Sequence, residues 1–305
     1  MNLHGVITPL ATPLTAELDL DIPALERLVA AQLSAGVHGL FVLGSTGEAP
    51  YLGDECRREV INVVRAAIAG AVPLLVGVID TAGERVVARA VEAERLGADA
   101  VVVTPPFFAA MGDEVITHYR QVAERIGIPV VMYHIPSRTG NSVAPGVMVE
   151  LAESKVIAAV KDSGPDFASF RQMLVATEHL TEFTAFTGSE VLVDAAILAG
   201  AAGVMPGLAN VDPAGFVRLY EAALRADWDS ATAEQIRLAR LLRIVDLGPS
   251  RAGPDGRALV AFKEAMLFAG LIDSVATCAT PRSMGEAERV RLHDELRQLG
   301  LADHL

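Results

Sequence analysis

Lysine is the residue type in this sequence that most suggests chemistry, because it is rare compared with arginine, the other strongly basic residue. The 305-residue chain has 22 arginines but only three lysines, Lys155, Lys161 and Lys263. Lys161 ends an apolar run that begins at Val156. An ammonium in apolar surroundings loses its proton easily, and the free amine can attack a carbonyl group, whereas an arginine stays protonated. Lys161 is therefore a candidate nucleophile, although a strand-end lysine that extends to solvent fits this stretch equally well.

A second candidate is the segment Gly44-Ser45-Thr46-Gly47-Glu48, which follows another apolar run. Its glycines let the backbone approach a ligand, and adjacent hydroxyl and N–H groups can form a cradle for a carboxylate. The segment lacks the lysine of a nucleotide-binding P-loop. It is either a carboxylate site at Ser45 and Thr46 or an ordinary turn between a strand and a helix.

Tyr133 ends a third apolar run, where its phenol could move a proton if a neighbouring hydroxyl held it in place. A core tyrosine with its hydroxyl at the rim is the alternative. His134 is expected to point to the opposite side of the strand and to be structural. Arg138 follows in a loop bounded by Pro136 and Gly140, where it either binds a carboxylate through two hydrogen bonds or faces solvent.

Eight apolar, β-branched runs alternate with segments of helical periodicity, which predicts parallel strands joined by helices. The predicted strands are 5–8, 39–43, 72–79, 98–103, 128–133, 156–160, 183–186 and 202–205. This repeat predicts an α/β fold, a (β/α)₈ TIM barrel over residues 1–226. The alternative, an open doubly wound sheet, would usually show a Gly-x-Gly-x-x-Gly turn, which this sequence lacks. Residues 227–305 are expected to form a C-terminal helical extension packed on the barrel.

Most of the predicted strands end in polar or glycine-bearing residues. In a TIM barrel the carboxyl ends of the strands share one rim, and the loops at that rim build the active site. We therefore expect Lys161, Tyr133 and the Gly44–Glu48 segment to meet there. Gly188, which follows the seventh predicted strand, is expected to line the substrate site with them.

Composition argues against several classes of partner. The net charge of −13 disfavours nucleic acid and anionic membrane surfaces, which require clustered Lys and Arg. The N-terminus has no signal-peptide pattern, and no apolar run approaches the ~20 residues of a membrane span, so a cytoplasmic location is expected. Cys56 and Cys278 lie far apart without neighbouring metal-binding residues, so neither a disulfide nor a zinc site is expected.

Three motifs together resemble the dihydrodipicolinate synthase and N-acetylneuraminate lyase superfamily. They are Gly44–Glu48, Tyr133 with Pro136–Gly140, and Val160–Gly164, in the order and spacing of that superfamily. The resemblance covers essentially the whole chain. It implies a (β/α)₈ barrel, a homotetramer built as a dimer of dimers, and a covalent imine between a lysine and pyruvate or another 2-keto acid. It also implies that neither a metal ion nor an organic cofactor is needed.

The resemblance also implies a role for individual residues. Lys161 matches the imine-forming lysine and Tyr133 the catalytic tyrosine. Ser45 and Thr46 match the site for the pyruvate carboxylate, and Ser45 joins the proton relay. Arg138 matches the arginine that, in the synthases, holds the carboxylate of aspartate semialdehyde.

Three departures point away from a dedicated synthase. Ser45 stands where synthases usually have threonine, and Asp162-Ser163-Gly164 follows the lysine where they usually have Glu-Ala. Phe107 replaces the second tyrosine of a pair, which in the synthases crosses a subunit interface to join the proton relay. Against these departures, Pro136–Gly140 is synthase-like.

We therefore predict a class I aldolase or lyase that acts on a 2-keto-3-deoxy acid and releases or condenses pyruvate, with an aldehyde as the other partner. The first alternative is 4-hydroxy-tetrahydrodipicolinate synthase, which would use the same imine. The second is a barrel that binds a 2-keto acid without catalysing a reaction.

Overall fold

Eight parallel strands form a closed barrel in the computed structural model, which describes residues 3–107, 111–280 and 283–301. Each strand pairs with its neighbours in sequence, and the first pairs with the last. The strands are β1 (Gly5–Pro9), β2 (Gly39–Val42), β3 (Leu74–Gly77), β4 (Ala100–Val103), β5 (Val130–His134), β6 (Ala159–Asp162), β7 (Thr184–Thr187) and β8 (Gly203–Val204). The predicted (β/α)₈ barrel is confirmed.

The largest differences from the predicted strands concern β3 and β6. The apolar run 72–79 is twice as long as β3, because only its central residues, Leu74–Gly77, are in register with a neighbouring strand. The predicted sixth strand stopped before Lys161, whereas β6 continues through Asp162. Lys161 pairs with Tyr133 of β5 and with Phe186 of β7, so the nucleophile candidate is held on both sides by the sheet.

Helices surround the barrel, and several begin at residues that cap them. The Asp21 carboxylate accepts a hydrogen bond from the backbone N–H of Ala24, and the Asp166 carboxylate accepts from those of Ala168 and Ser169. The helices are α1 (Ile22–Ser34), α2 (Asp54–Ile68), α3 (Gly83–Arg95), α4 (Glu114–Ala123), α5 (Pro136–Thr139), α6 (Pro145–Glu153), α7 (Phe167–Thr177), α8 (Val193–Leu198) and α9 (Pro213–Leu224). The loop predicted around Arg138 thus contains the one-turn helix α5.

Alternation along the strands separates two apolar layers. One face of each strand points into the barrel, and its residues form the interior cluster, which includes Ile7, Phe41, Val131 and Phe186. The alternate residues of the same strands point outward and pack against the surrounding helices. The inward row of β5 continues from Val131 to Tyr133. Tyr133 belongs to the interior cluster, so its side chain lies inside the barrel at the carboxyl end of its strand.

Three further helices follow the barrel: α10 (Trp228–Leu242), α11 (Pro254–Phe268) and α12 (Glu286–Gln298). The expected boundary after residue 226 falls between α9 and α10. Leu259 and Phe262 of α11 reach the cavity at the carboxyl ends of the strands. Over the described residues, no helix combines the length and apolar character that crossing a membrane requires.

Candidate active site

Lys161 lies inside the barrel near the rim, with only 4% of its surface exposed. Its Nζ is 4.2 Å from the centre of the Tyr133 ring and 5.2 Å from that of Phe41. No carboxylate of the described residues forms an ion pair with it. The side chain is therefore surrounded by aromatic rings at a buried strand end, and it does not extend into solvent.

Tyr133 is positioned by two contacts. Its ring packs edge-on against Phe41, with ring centres 6.2 Å apart, and its hydroxyl lies 3.1 Å from the Ser45 hydroxyl. Burial raises the pKa of the Tyr133 phenol, but the charge of Lys161, the Ser45 hydroxyl and the charge of Arg138 outweigh burial and leave that pKa below its ordinary value. A phenol whose pKa is lowered gives up its proton more readily than an ordinary tyrosine, which suits it to accept and return a proton during a reaction.

The Gly44–Glu48 segment forms a tight turn after β2. The backbone N–H of Glu48 donates to the Ser45 carbonyl over 3.1 Å. The backbone N–H groups of Ser45 and Thr46 donate no hydrogen bond to any part of the chain that the structure describes, so they remain available to an anion. A Cβ atom at Gly47 would lie only 3.0 Å from the Leu10 carbonyl oxygen, so this packing favours glycine.

A cavity of about 590 Å³ opens at this rim and brings most of the predicted site residues together. It is lined by Ser45, Thr46, Tyr133, Arg138, Lys161 and Gly188. Gly188 allows the close approach of two strand ends, because a Cβ there would lie 2.0 Å from the Ser163 hydroxyl oxygen. Phe107 lines an adjoining cavity of about 310 Å³, which shares Ser45, Tyr133 and Arg138 with the first. The roles of these residues stay predictions.

Arg138 is already paired within the protein. Its guanidinium forms an ion pair with Asp255 at the beginning of α11, and both side chains are partly exposed where the two cavities meet. The sequence predicted either a carboxylate site or a solvated side chain. In the structure, a substrate carboxylate would have to compete with Asp255 for this guanidinium.

Comparison with known proteins identifies the family of this chain. The model of the dihydrodipicolinate synthetase family matches residues 2–297. This chain belongs to that family. An uncharacterized DapA-like lyase of Halobacterium salinarum is 34% identical over 99% of this chain and 95% of its own. The 4-hydroxy-tetrahydrodipicolinate synthase of Xanthomonas axonopodis pv. citri is 36% identical over 78% of this chain and 79% of its own.

A solved structure extends the comparison. The crystal structure of YagE, a prophage protein of E. coli K12 in complex with pyruvate, matches with a TM-score of 0.92 and 28% identity, over 99% of this chain and 100% of that chain. The superfamily resemblance inferred from the motifs is confirmed, and the protein is a lyase of the dihydrodipicolinate synthetase family.

In this dihydrodipicolinate synthetase family lyase, Glu190 is a site residue to which the sequence assigned no role. Its carboxylate lines the main cavity and accepts a hydrogen bond from the Gly207 N–H over 2.9 Å. Burial holds the pKa of the Glu190 carboxyl above its ordinary value, although the charge of Lys161 acts in the opposite direction. Its place after β7 was the available signal, since that strand end was predicted to lie at the rim.

In this family member His134 lies on the side of β5 opposite to Tyr133, outside the cluster that fills the barrel, as the alternation along the strand predicted. Its Nδ1 lies 2.8 Å from the Asp162 carboxylate, and its Nε2 accepts from the Val143 N–H over 3.3 Å. The Asp162 carboxylate also accepts from the Gly164 N–H over 2.7 Å. These bonds hold the loop that follows Lys161 on the outer side of the strand.

Proposed function

We propose that this family member is a class I, pyruvate-dependent aldolase or lyase that forms a covalent imine through Lys161. The observation that carries the proposal is the setting of this amine. It lies against the Tyr133 ring and forms no ion pair with a carboxylate of the described residues. It also lines a cavity beside the backbone N–H groups of Ser45 and Thr46, which donate no hydrogen bond within the described residues. A desolvated amine in such a place is suited to attack a keto carbon. The pyruvate bound to YagE supports pyruvate as the 2-keto acid.

The residues support a balanced reaction on a 2-keto-3-deoxy acid. The Lys161 amine adds to the C2 keto carbon, one proton is taken up from solvent, and the former keto oxygen leaves as water to give an iminium. The Tyr133 phenolate takes the proton of the C4 hydroxyl, the C3–C4 bond breaks, and its electron pair passes into the iminium to form an enamine. The aldehyde leaves and Tyr133 returns the proton to C3, which restores the iminium. Water then hydrolyses the iminium to pyruvate and the free amine, and the proton taken up in the first step is released. This scheme calls on no metal ion or organic cofactor.

The remaining residues have roles in binding. The N–H groups of Ser45 and Thr46 hold the carboxylate next to the keto carbon, and Gly188 lines the same cavity. The Ser45 hydroxyl supports Tyr133 in moving the proton. Arg138 binds a carboxylate on the aldehyde portion of the substrate. The homotetramer, the cytoplasmic location and the absence of a nucleic-acid or membrane partner stay predictions.

A second candidate, 4-hydroxy-tetrahydrodipicolinate synthase, is favoured by Arg138 at the rim and by the relative of that name. Phe107 argues against it. Phe107 matches the tyrosine that, in the synthases, crosses a subunit interface to join the relay, and phenylalanine has no hydroxyl with which to carry a proton. Within this chain, Phe107 lines the cavity beside Tyr133. The relay then reduces to Tyr133 and Ser45, or borrows a water molecule in place of the missing hydroxyl.

Kinetics on two reactions separates the candidates. We expect the wild type to release pyruvate from one or more members of a panel of 2-keto-3-deoxy acids and to condense pyruvate with aspartate semialdehyde poorly. Phe107→Tyr should increase the condensation, since one positioned proton-transfer group is typically worth about 10²–10⁴-fold in rate. Efficient condensation by the unmodified protein would establish the synthase instead. An imine without turnover on any substrate would indicate the silent binding barrel.

A further inference from the structure

A buried ion pair connects the turn that carries Ser45 and Thr46 to the C-terminal extension. Glu48 and Lys263 are each 0% exposed, and Lys263 Nζ donates to Glu48 Oε1 over 2.6 Å. The other carboxylate oxygen, Oε2, accepts from the Thr277 hydroxyl over 2.6 Å and from the Cys278 N–H over 2.7 Å. Both oxygens of this carboxylate are therefore bound by the C-terminal extension.

The backbone conformation of Glu48 explains why the hydrogen bonds to its carboxylate matter for the turn. Its φ of 59° is left-handed, a conformation that residues with a Cβ rarely adopt. Its N–H closes the turn by donating to the Ser45 carbonyl over 3.1 Å. A rotation of Glu48 toward an ordinary conformation would therefore move Ser45 and Thr46, and with them the free N–H groups proposed to bind the substrate carboxylate.

Neither charge is required for the chemistry proposed above. Glu48 and Lys263 do not line either cavity at the rim, and Lys263 uses a second hydrogen bond, over 2.5 Å, on the Ala276 carbonyl. Burying two charges is costly compared with apolar packing, so a buried pair is weak evidence of stabilisation for its own sake. What a buried, hydrogen-bonded pair supplies is a fixed direction and distance between its two partners.

We infer that Lys263 is a positioning residue of the substrate-carboxylate site, acting through Glu48. This inference rests on the proposed function, because it assigns the extension a part in binding the 2-keto acid. The extension thus acts on the site in two ways. Leu259 and Phe262 of α11 form part of the cavity wall, and the next residue on that helix, Lys263, fixes the turn that holds the substrate.

The test measures the pyruvate concentration that gives half-maximal borohydride trapping at Lys161. In the double variant Glu48→Gln/Lys263→Met both charges are removed together, so no buried charge is left unpaired. We expect the half-maximal concentration to rise by about 10-fold to 100-fold, the scale of a misplacement of up to an ångström, while trapping at saturation still occurs. Thr277→Val removes one bond to Glu48, and it should give a smaller rise in the same direction even if the double variant does not fold.

A neighbouring ion pair supplies the matched control. Glu264, the next residue of α11, is 0% exposed and pairs with Arg289 of α12 over 3.1 Å, away from the active-site turn. Arg289→Met therefore weakens the extension without touching Glu48, and it should leave the half-maximal pyruvate concentration unchanged. An equal rise in this control, or wild-type values in a folded double variant and in Thr277→Val, would overturn the inference. A wild type that never traps pyruvate at Lys161 would instead overturn the proposed function, and this inference with it.

Discussion

Lys161 and Lys263 are both buried, but their surroundings are opposite in kind. Lys263 lies in the interior of α11, with its ammonium on the Glu48 carboxylate and the Ala276 carbonyl. Burial lowers the pKa of Lys263, and the charge of Glu48 acts against that change. Lys161 lies at the end of β6, facing the Tyr133 and Phe41 rings, with no ion pair among the described residues.

The contrast separates structural from chemical uses of a buried amine. An ammonium that must stay charged inside a protein needs a carboxylate and hydrogen bonds to offset its desolvation, and Lys263 has both. An amine that attacks a carbonyl must be neutral, and a carboxylate partner would instead stabilise the charged ammonium. The third lysine, Lys155, is 81% exposed on its side chain and pairs with Glu182 at the surface, so it serves as a reference for both.

Methionine at each lysine position would test the comparison, because it keeps most of the stem and removes the charge. The largest effect is expected for Lys161→Met, whose turnover should fall by roughly 10⁴–10⁶-fold, the range for loss of an essential catalytic group. Its urea unfolding midpoint should stay near that of the wild type, since no ion pair is lost. Retained turnover, or unfolding of the variant, would make Lys161 a structural residue. Lys155→Met should change neither quantity.

Lys263→Met should act chiefly on stability. It leaves the Glu48 carboxylate buried without its cation, which typically costs about 3–5 kcal/mol in the free energy of unfolding. Urea denaturation followed by circular dichroism measures this loss. A variant as stable as Lys155→Met would mean that the hydrogen bonds from Thr277, Cys278 and Ala279 compensate the Glu48 charge without Lys263.

Ser45→Ala should lower turnover and change its pH dependence. In the retro-aldol direction Tyr133 must be deprotonated, so kcat should rise with pH as the phenol of the enzyme–substrate complex loses its proton. The Ser45 hydroxyl helps to lower the pKa of Tyr133, so its removal should raise that pKa and move the rise in kcat to higher pH. At neutral pH we expect a loss of about 10²-fold, at the lower end for a proton-transfer group. An unshifted profile would remove Ser45 from the relay.

The smallest effect is expected at the mouth of the cavity. Arg138→Lys should raise KM for a substrate that carries a carboxylate on its aldehyde portion by about tenfold, because a point charge cannot reproduce a two-bond grip. Pyruvate trapping should not change. The matched variant Asp255→Asn frees the guanidinium and should lower the same KM. Equal loss of pyruvate binding in Arg138→Lys would place Arg138 at the pyruvate carboxylate instead.

The sequence identified Lys161 as a candidate nucleophile but assigned no role to Lys263, and the reason for this difference is physical. Lys161 and Tyr133 stand at the ends of apolar runs, and because parallel strands of a barrel share one rim, local patterns were enough to bring them together. Lys263 is in a helix, 215 positions from Glu48 in sequence. Helical periodicity gives the face of a helix but not the distant residue that it meets, so the pair required the tertiary structure.

The same limit applies to Arg138. Its loop position and approximate place at the rim could be predicted, but its partner Asp255 lies 117 positions away in the extension. The α11 contribution to the cavity was missed for this reason as well. Residues on strand ends could be placed because the barrel topology fixes them, whereas residues on the extension could not, since its packing on the barrel follows from no local pattern.

Borohydride reduction in the presence of pyruvate tests the central claim most directly. The account predicts inactivation and a single reduced pyruvate adduct, which peptide mapping locates on Lys161. The other two lysines serve as internal controls, because Lys263 is held by Glu48 and Lys155 lies on the surface. An adduct on Lys155 or Lys263, or no adduct at all, would contradict the account.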